Sequence, residues 1–250
     1  MRDTDSINQE DIDIAQDDAV AIPPEHRSFW SMFATYWKAL FMPTPRTFAE
    51  EKPYATWRSV FSQLAILLIC VGAVSAIILI QKFIHPISKT TLKDETLNSI
   101  TSLLNASTSL PAAIFQLVFL PVSFFFFMIF QFLFAKSFRG VGRFVEQCYT
   151  TLLYYAPFTM IATVLGAFLT IFPFGGNGQI FTATVRGAIT LIFLALSLII
   201  NVPALMGVHR ISKSQATIII FSQIIFACLI VVITIFVGGS FLDKYLRSLN

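Results

Sequence analysis

Five stretches of this chain carry almost no charged residue, and each is long enough to cross a lipid bilayer. A helix rises about 1.5 Å per residue, so roughly 20 apolar residues cover a hydrocarbon layer about 30 Å thick. A water-soluble fold of 250 residues cannot bury five such segments. The sequence therefore predicts an all-α polytopic membrane protein, a bundle of five transmembrane helices. The predicted spans are residues 59–80, 110–135, 149–172, 187–208 and 216–237.

The composition agrees with lipid as the main solvent of the chain. Hydrophobic residues make up 56% and charged residues 12%, whereas roughly a quarter of a soluble domain is charged. The net charge of +3 is too small to indicate a nucleic-acid partner. Cys70, Cys148 and Cys228 have neither the spacing of a zinc site nor the even number of a disulfide framework. No cofactor is expected.

The region before the first span changes composition at residue 28. Residues 1–27 are acidic and poor in apolar side chains, which predicts a disordered cytoplasmic tail. The next residues form an apolar stripe opposite Thr35, too short to span, which predicts an amphipathic helix in the headgroup layer or against the bundle. The stripe contains Phe29, Phe33, Trp37 and Leu40. The predicted organisation is 1–27 tail, 28–58 interfacial helix and linker, 59–240 five-span domain, and 241–250 short C-terminal tail.

Lysine and arginine are distributed unevenly over the loops, and this bias orients helical membrane proteins. Apart from Arg2, ten lie on the side of the N-terminus and six on the other side. The N-terminus is therefore predicted in the cytoplasm, with the C-terminus on the opposite side.

Residues suited to catalysis or ion coupling are missing from the predicted spans, which hold no Asp, Glu, Lys or Arg away from their ends. Such groups are costly in lipid and usually mark function. Glu146 is expected on the surface beside Arg143. His26, His85 and His209 lack the spacing of metal ligands. The prediction is a protein without enzymatic activity.

Neutral polar side chains remain inside the spans and allow two interpretations. In the first, they join helices by hydrogen bonds worth about 1 kcal/mol each. In the second, the chain is a small permease or channel subunit whose proline-kinked helices line a polar path. That alternative predicts a common cavity for Gln116, Gln131, Asn201 and Gln223.

Two segments between the spans carry a family resemblance. The first is the basic turn Phe138-Arg139-Gly140-Val141-Gly142-Arg143-Phe144, followed by Tyr154-Tyr155-Ala156-Pro157. The second is Met206-Gly207-Val208-His209-Arg210-Ile211-Ser212-Lys213. Together with Leu40-Phe41-Met42-Pro43, they make the chain resemble the Yip domain family, the Ypt/Rab-interacting membrane proteins. The matching motif residues are Pro43, Gly140, Gly142, Tyr154, Tyr155, Pro157, Gly207 and His209.

The resemblance implies five membrane helices, a cytosolic N-terminus and no known enzymatic activity. Eukaryotic members recruit prenylated Rab-type GTPases. This chain lacks the Asp-Leu-x-Gly-Pro motif before the first span, and Leu153 stands where the Gly-Tyr-x-x-x-Pro motif has Tyr. These departures favour a prokaryotic member in a bacterial plasma (inner) membrane, with a Golgi or endoplasmic reticulum membrane as the eukaryotic alternative. The expected partners are the lipid bilayer, unidentified proteins and a second copy of the chain.

The matched turns also have a physical interpretation. Gly140 and Gly142 are expected to permit a tight reversal of the chain. The basic side chains, together with His209, are expected to face lipid phosphates and to gain about 1 kcal/mol each. The candidate headgroup contacts are Lys136, Arg139, Arg143, Arg210 and Lys213. The predicted function is non-enzymatic membrane organisation or recruitment of partner proteins.

Overall fold

The computed structural model describes residues 29–84, 110–171 and 178–248. Two short helices precede five long ones, and a 3-10 turn at Lys52–Tyr54 follows the second short helix. The described residues form no strand. The helices are α1 Phe29–Phe41, α2 Pro45–Glu51, α3 Trp57–Ile84, α4 Leu110–Ser137, α5 Phe144–Ile171, α6 Gly178–His209 and α7 Lys213–Ser248.

Helices α3 to α7 confirm the predicted all-α architecture with five membrane-spanning segments. Each contains a stretch long and apolar enough to cross a bilayer. These stretches are Trp57–Gln81, Ala113–Ser137, Phe144–Ile171, Thr184–His209 and Lys213–Ile230. The third begins at Phe144, five residues before the predicted start, and so takes Glu146 into the helix. The predicted acidic tail, residues 1–27, lies outside the described residues.

Helix α5 is the centre of the bundle. It contacts α1, α3, α4 and α6, while α7 packs on α4 and α6. Residues 146–154 of α5 are buried without interruption. Leu67 of α3 and Leu152 of α5 belong to the main apolar core, and a second cluster around Leu205 joins α4, α6 and α7. The outward surfaces carry many exposed Ile, Leu and Phe side chains, a far larger apolar surface than soluble monomers show.

Helix α1 packs on the bundle with one face and exposes the other. Thr35, Tyr36 and Ala39 are buried, and α1 contacts α5. Phe33 and Trp37 are exposed, with their ring centroids 5.7 Å apart. Thr35 was expected on the polar face; it is buried because its hydroxyl donates to the Ser31 carbonyl at 3.0 Å and needs no water. The bundle-packing alternative therefore holds for one face, and an aromatic face remains outside.

Candidate functional site

The two motif segments are in direct contact at one end of the bundle. We call this region the turn end: the α4–α5 turn with the helix ends beside it (residues 136–147), the α6–α7 turn with its helix ends (residues 207–213), and α2 with Lys52. The backbone N–H of Val141 donates to the carbonyl of His209 at 3.1 Å. Within the first turn, Lys136 Nζ donates to the Gly140 carbonyl at 3.0 Å. The segments that carry the family resemblance therefore form one structural unit.

Gly140 and Gly142 lie in the turn that reverses the chain between α4 and α5, and they serve close packing there rather than a left-handed backbone. Neither has a left-handed φ; that conformation belongs to Arg139, with φ 64°. A Cβ on Gly140 would lie 2.8 Å from the Ala135 carbonyl oxygen, and one on Gly142 would lie 2.7 Å from the Val208 carbonyl oxygen. A side chain on Gly140 would meet the end of α4 and His209, and one on Gly142 would meet the end of α6, so both positions require glycine.

Two arginines take the left-handed positions that follow α4 and α6. Arg139 has φ 64° and Arg210 has φ 54°. After α4 the N–H of Gly140 bonds the Ala135 carbonyl at 2.9 Å and the N–H of Arg139 bonds the Lys136 carbonyl at 2.9 Å, a Schellman cap. Glycine usually occupies this position, because other residues lose roughly 1 kcal/mol there. The arginines are therefore held in strained backbone at the edge of the site.

His209 is fully buried, so the expectation that it faces lipid phosphates was wrong. Its Nε2 lies 2.9 Å from Gln147 Oε1, and its ring centroid lies 6.0 Å from that of Phe132. The ring is covered because the glycine turn closes over it: a Cβ on Gly142 would lie 2.9 Å from His209 Nδ1. His209 was expected to be exposed because it lies next to basic residues in the sequence. The α4–α5 turn packs on its ring and buries it.

A chain of side-chain hydrogen bonds runs from His209 across four helices. Gln147 Nε2 on α5 donates to Gln131 Oε1 on α4 at 3.1 Å. Gln131 Nε2 in turn donates to Gln223 Oε1 on α7. Because Gln147 donates through its amide nitrogen, its oxygen accepts, and the proton of His209 is assigned to Nε2. The chain joins α4, α5, α6 and α7, in agreement with the interpretation that these polar groups hold helices together.

The permease alternative predicts that four polar side chains share one cavity, and this prediction is wrong. Gln131 and Gln223 bond each other. Gln116 lies fifteen residues before Gln131 in the same helix, which corresponds to about 22 Å along its axis. Asn201 is buried, and its Oδ1 has no hydrogen-bond partner among the described residues. Of the four side chains, Gln131 and Gln223 therefore pair at one level of the bundle, while Gln116 lies at a different level.

Glu146 is buried at the start of α5, so its expected surface location was also wrong. Its carboxylate accepts from the backbone N–H of Arg143 at 3.0 Å and from Arg143 Nε at 2.6 Å. A carboxylate in the first turn satisfies a free N–H and is favoured by the helix dipole. Lys52 Nζ, 3.6 Å away, covers it from the other side. This burial depends on a contact between residues 94 positions apart, which sequence inspection missed.

Lys52 and α2 close the turn end over α6. Lys52 Nζ donates to the Val208 carbonyl at 3.1 Å. Gly207 lies so close to the Pro45 carbonyl oxygen that a Cβ would overlap it. The buried ring of Phe48 lies 6.2 Å from the ring of Tyr154, edge to face. Gly207 and Tyr154 are therefore the positions on which α2 packs.

The other motif residues lie away from the turns. The half-buried Tyr155 ring lies 5.8 Å from that of Phe124. Pro157 is buried inside α5. Pro43 lies between α1 and α2. These three residues belong to the packing of α5 and the linker rather than to the contact between the turns.

The five residues proposed to contact lipid headgroups are all exposed at the turn end, and we call them the basic rim. They are Lys136, Arg139, Arg143, Arg210 and Lys213. The side chain of Arg143 is 70% exposed although it pairs with Glu146. In the part of the chain that the structure describes, no three His, Cys, Asp or Glu residues lie together as a metal site would require. The turn end thus combines a sealed polar interior with an exposed positive edge.

Comparison with known proteins supplies the family. The sequence model of the Yip1 domain family matches residues 37–235. This range contains both turns, the basic rim and the hydrogen-bond chain that begins at His209. No curated protein matches the chain, and no solved structure matches it either. Because the match covers most of the sequence and the five apolar helices agree with it, the chain is an integral membrane protein of the Yip1 domain family.

Proposed function

We propose that this protein is non-enzymatic and that its turn end binds anionic lipid headgroups and recruits partner proteins to the membrane. One observation carries the proposal: Glu146, Gln147 and His209 are buried and paired within the turn end, while the five basic residues of the rim are exposed. Juxtamembrane basic residues gain about 1 kcal/mol each near an anionic surface. A rim of this kind is suited to binding rather than to chemical conversion.

The buried groups support a structural role for the interior. Glu146 caps α5 and pairs with Arg143 and Lys52. His209 and Gln147 join two helices. Each of these side chains is used by its neighbours, so their burial is explained without a substrate.

The proposed orientation places the turn end in the cytoplasm and the protein in a plasma (inner) membrane. The ten basic residues counted on the N-terminal side include the whole basic rim, and such residues are retained on the cytoplasmic side during insertion. Lys38 and Arg46, both exposed, add positive charge to α1 and α2 at the same end.

Cysteine accessibility tests this orientation. Arg139→Cys is introduced into a variant whose three native cysteines are replaced by alanine. A membrane-impermeant maleimide should label the new thiol only after the cells are permeabilised. Labelling of intact cells to the same extent would contradict a cytoplasmic turn end.

Site-specific photo-crosslinking tests recruitment. A photoreactive amino acid replaces Arg139 in the rim, and a matched one replaces Val122, which is exposed in the middle of α4. The proposal predicts discrete protein adducts at position 139 that disappear when Arg143 and Lys213 are changed to Gln. Position 122 should give lipid adducts only. Lipid adducts alone at both positions would rule out recruitment through the rim.

A further inference from the structure

A cavity of about 60 Å³ lies between α3, α4, α5 and α6. Four polar residues, one from each helix, line it among apolar side chains. They are Ser75, Gln116, Thr163 and Arg186. The cavity is separate from the turn end and from the hydrogen-bond chain of His209, so the proposed function does not account for it.

The cavity lies at the level of the lipid headgroups on the side opposite the turn end. Arg186 precedes His209 by 23 residues, which is about 35 Å along α6. Gln116 precedes Lys136 by 20 residues, about 30 Å along α4. The hydrocarbon core of a bilayer is about 30 Å thick. With the basic rim at one headgroup layer, Arg186 and Gln116 therefore reach the boundary of the other.

The cavity contains a positive charge without a matching negative one. Among the described residues that line it there is no Asp or Glu, and no described carboxylate forms an ion pair with Arg186. A basic pocket between transmembrane helices is a site that anionic headgroups bind. The arrangement therefore favours an anion at this position.

Hydrogen-bond donors in the cavity are available to such an anion. Within the described part of the chain, the side chains of Ser75, Gln116 and Arg186 donate to no other residue. The Thr163 hydroxyl is already used, since it donates to the Thr159 carbonyl at 2.7 Å. Gln116 and Arg186 are exposed, so the cavity opens to the surrounding membrane and a headgroup can enter from the side.

Gly166 has no side chain, and the side chain of Arg186 packs against it. A Cβ on Gly166 would lie 3.4 Å from Arg186 Nε and 3.8 Å from its Cδ. The side chain of Arg186 thus lies along the surface of α5, at the wall of the cavity. A flat guanidinium beside two neutral donors is the arrangement that phosphate oxygens require.

We propose that this cavity binds a phosphate group, held by Arg186 with Gln116 and Ser75 as additional donors. A phospholipid headgroup of the leaflet opposite the turn end reaches this level directly. Inorganic phosphate offers the same chemistry from solution, and the experiment separates the two sources.

Photo-crosslinking from within the cavity tests the proposal on the full-length protein in a phosphate-free detergent. A photoreactive amino acid replaces Ala113, which lines the cavity, and phosphatidylglycerol is titrated while adducts are counted by mass spectrometry. The proposal predicts a phosphatidylglycerol adduct, and little adduct with the diacylglycerol that has the same acyl chains. Equal adduct yields from the two lipids would overturn it.

Variants identify the residues responsible. Arg186→Gln should need about tenfold more phosphatidylglycerol for half-maximal adduct, since it loses a charged hydrogen bond. Arg58→Gln, which removes an exposed arginine at the start of α3 that belongs neither to the cavity nor to the basic rim, should titrate like the parent protein. If Arg186→Gln does not give monodisperse protein, Gln116→Leu replaces it and should need about threefold more lipid. A titration unchanged by the cavity variant would overturn the proposal.

Competition separates the sources. Millimolar inorganic phosphate should leave the adduct unchanged if the lipid headgroup is the ligand. Loss of the adduct would show that the site also takes free phosphate, which supports the same chemistry with the other source. Failure of the rim experiments would not affect these results, because the two sites lie at opposite ends of the bundle.

Discussion

The two ends of this bundle treat their polar residues in opposite ways. At the turn end, Glu146, Gln147 and His209 are buried and bonded to one another's helices or to the turns. At the other end, Gln116 and Arg186 line an open cavity and bond no described side chain. Glutamine therefore links helices where their backbones approach closely, and lines a candidate binding surface where the helices leave a gap.

The largest expected effect concerns the close approach at the turn end. Gly207→Ala places a Cβ against the Pro45 carbonyl, so α2 has to move and the free energy of unfolding should fall by about 3 kcal/mol. Gly187→Ala in the same helix is the control, because no atom lies within 4 Å of its added Cβ. Thermal unfolding in detergent, followed by circular dichroism, measures both. Equal melting temperatures for the two variants would mean that α2 is not packed on α6.

A second comparison sets a buried carboxylate against an exposed one. Glu146→Gln removes the charge that pairs with Arg143 and Lys52, and should lower the free energy of unfolding by about 2 kcal/mol. Glu50→Gln should change it by less than about 1 kcal/mol, because the pair of Glu50 with Lys38 is exposed. Similar losses for the two variants in thermal unfolding would contradict a sealed turn end.

The stabilisation that Glu50 contributes through its pair with Lys38 should depend on pH. The hydrogen bond from Lys38 is the main cause that lowers the pKa of Glu50 below its ordinary value. The small stabilisation from this pair is therefore present at neutral pH and is lost as the pH falls through the lowered pKa. The difference between the parent protein and Glu50→Gln should disappear in acid.

The hydrogen-bond chain predicts coupling between helices. His209→Ala and Gln147→Ala each break the bond between α5 and α6, so the double variant should lose about 1 kcal/mol less than the sum of the two single variants. A double-mutant cycle by thermal unfolding measures this difference. Additive losses would show that the two side chains act independently and that the chain does not join the helices.

The smallest expected effect concerns the backbone strain at Arg139, which two substitutions distinguish from its role in the rim. Arg139→Gly should raise the free energy of unfolding by at most about 1 kcal/mol, because glycine adopts the left-handed conformation without strain. Arg139→Ala should bring no such gain, although it removes the same charge. Both variants should bind anionic vesicles more weakly than the parent protein. Equal stability of the glycine and alanine variants would contradict the strained cap.

The fold was predictable from the sequence because length and apolarity of a span are local properties. The start of α5 was placed five residues late because Glu146 looked like a surface residue. Its burial depends on Lys52, which sequence distance hides. A signal was nevertheless present, since a carboxylate at the start of an apolar helix calls for a basic partner.

The candidate site was predictable in position but not in geometry. Gly140, Gly142 and His209 were selected from the motif segments, yet their contact spans 67 residues between Gly142 and His209, and no local pattern reveals it. Both glycines lie in the turn, but its left-handed residue is Arg139, because a Schellman cap tolerates residues other than glycine at a cost. Arg186 directly precedes the predicted span 187–208, but its cavity depends on four helices meeting.

Amide hydrogen exchange measures directly whether the α4–α5 and α6–α7 turns form one closed unit. Four amides between Arg139 and Arg143 donate hydrogen bonds, to Lys136, Ala135, His209 and Glu146. In lipid nanodiscs, residues 138–143 should therefore exchange as slowly as the adjoining helix ends, and Gly142→Val should abolish this protection. Exchange of this segment in the parent protein at the rate of an open loop would contradict the closed turn end.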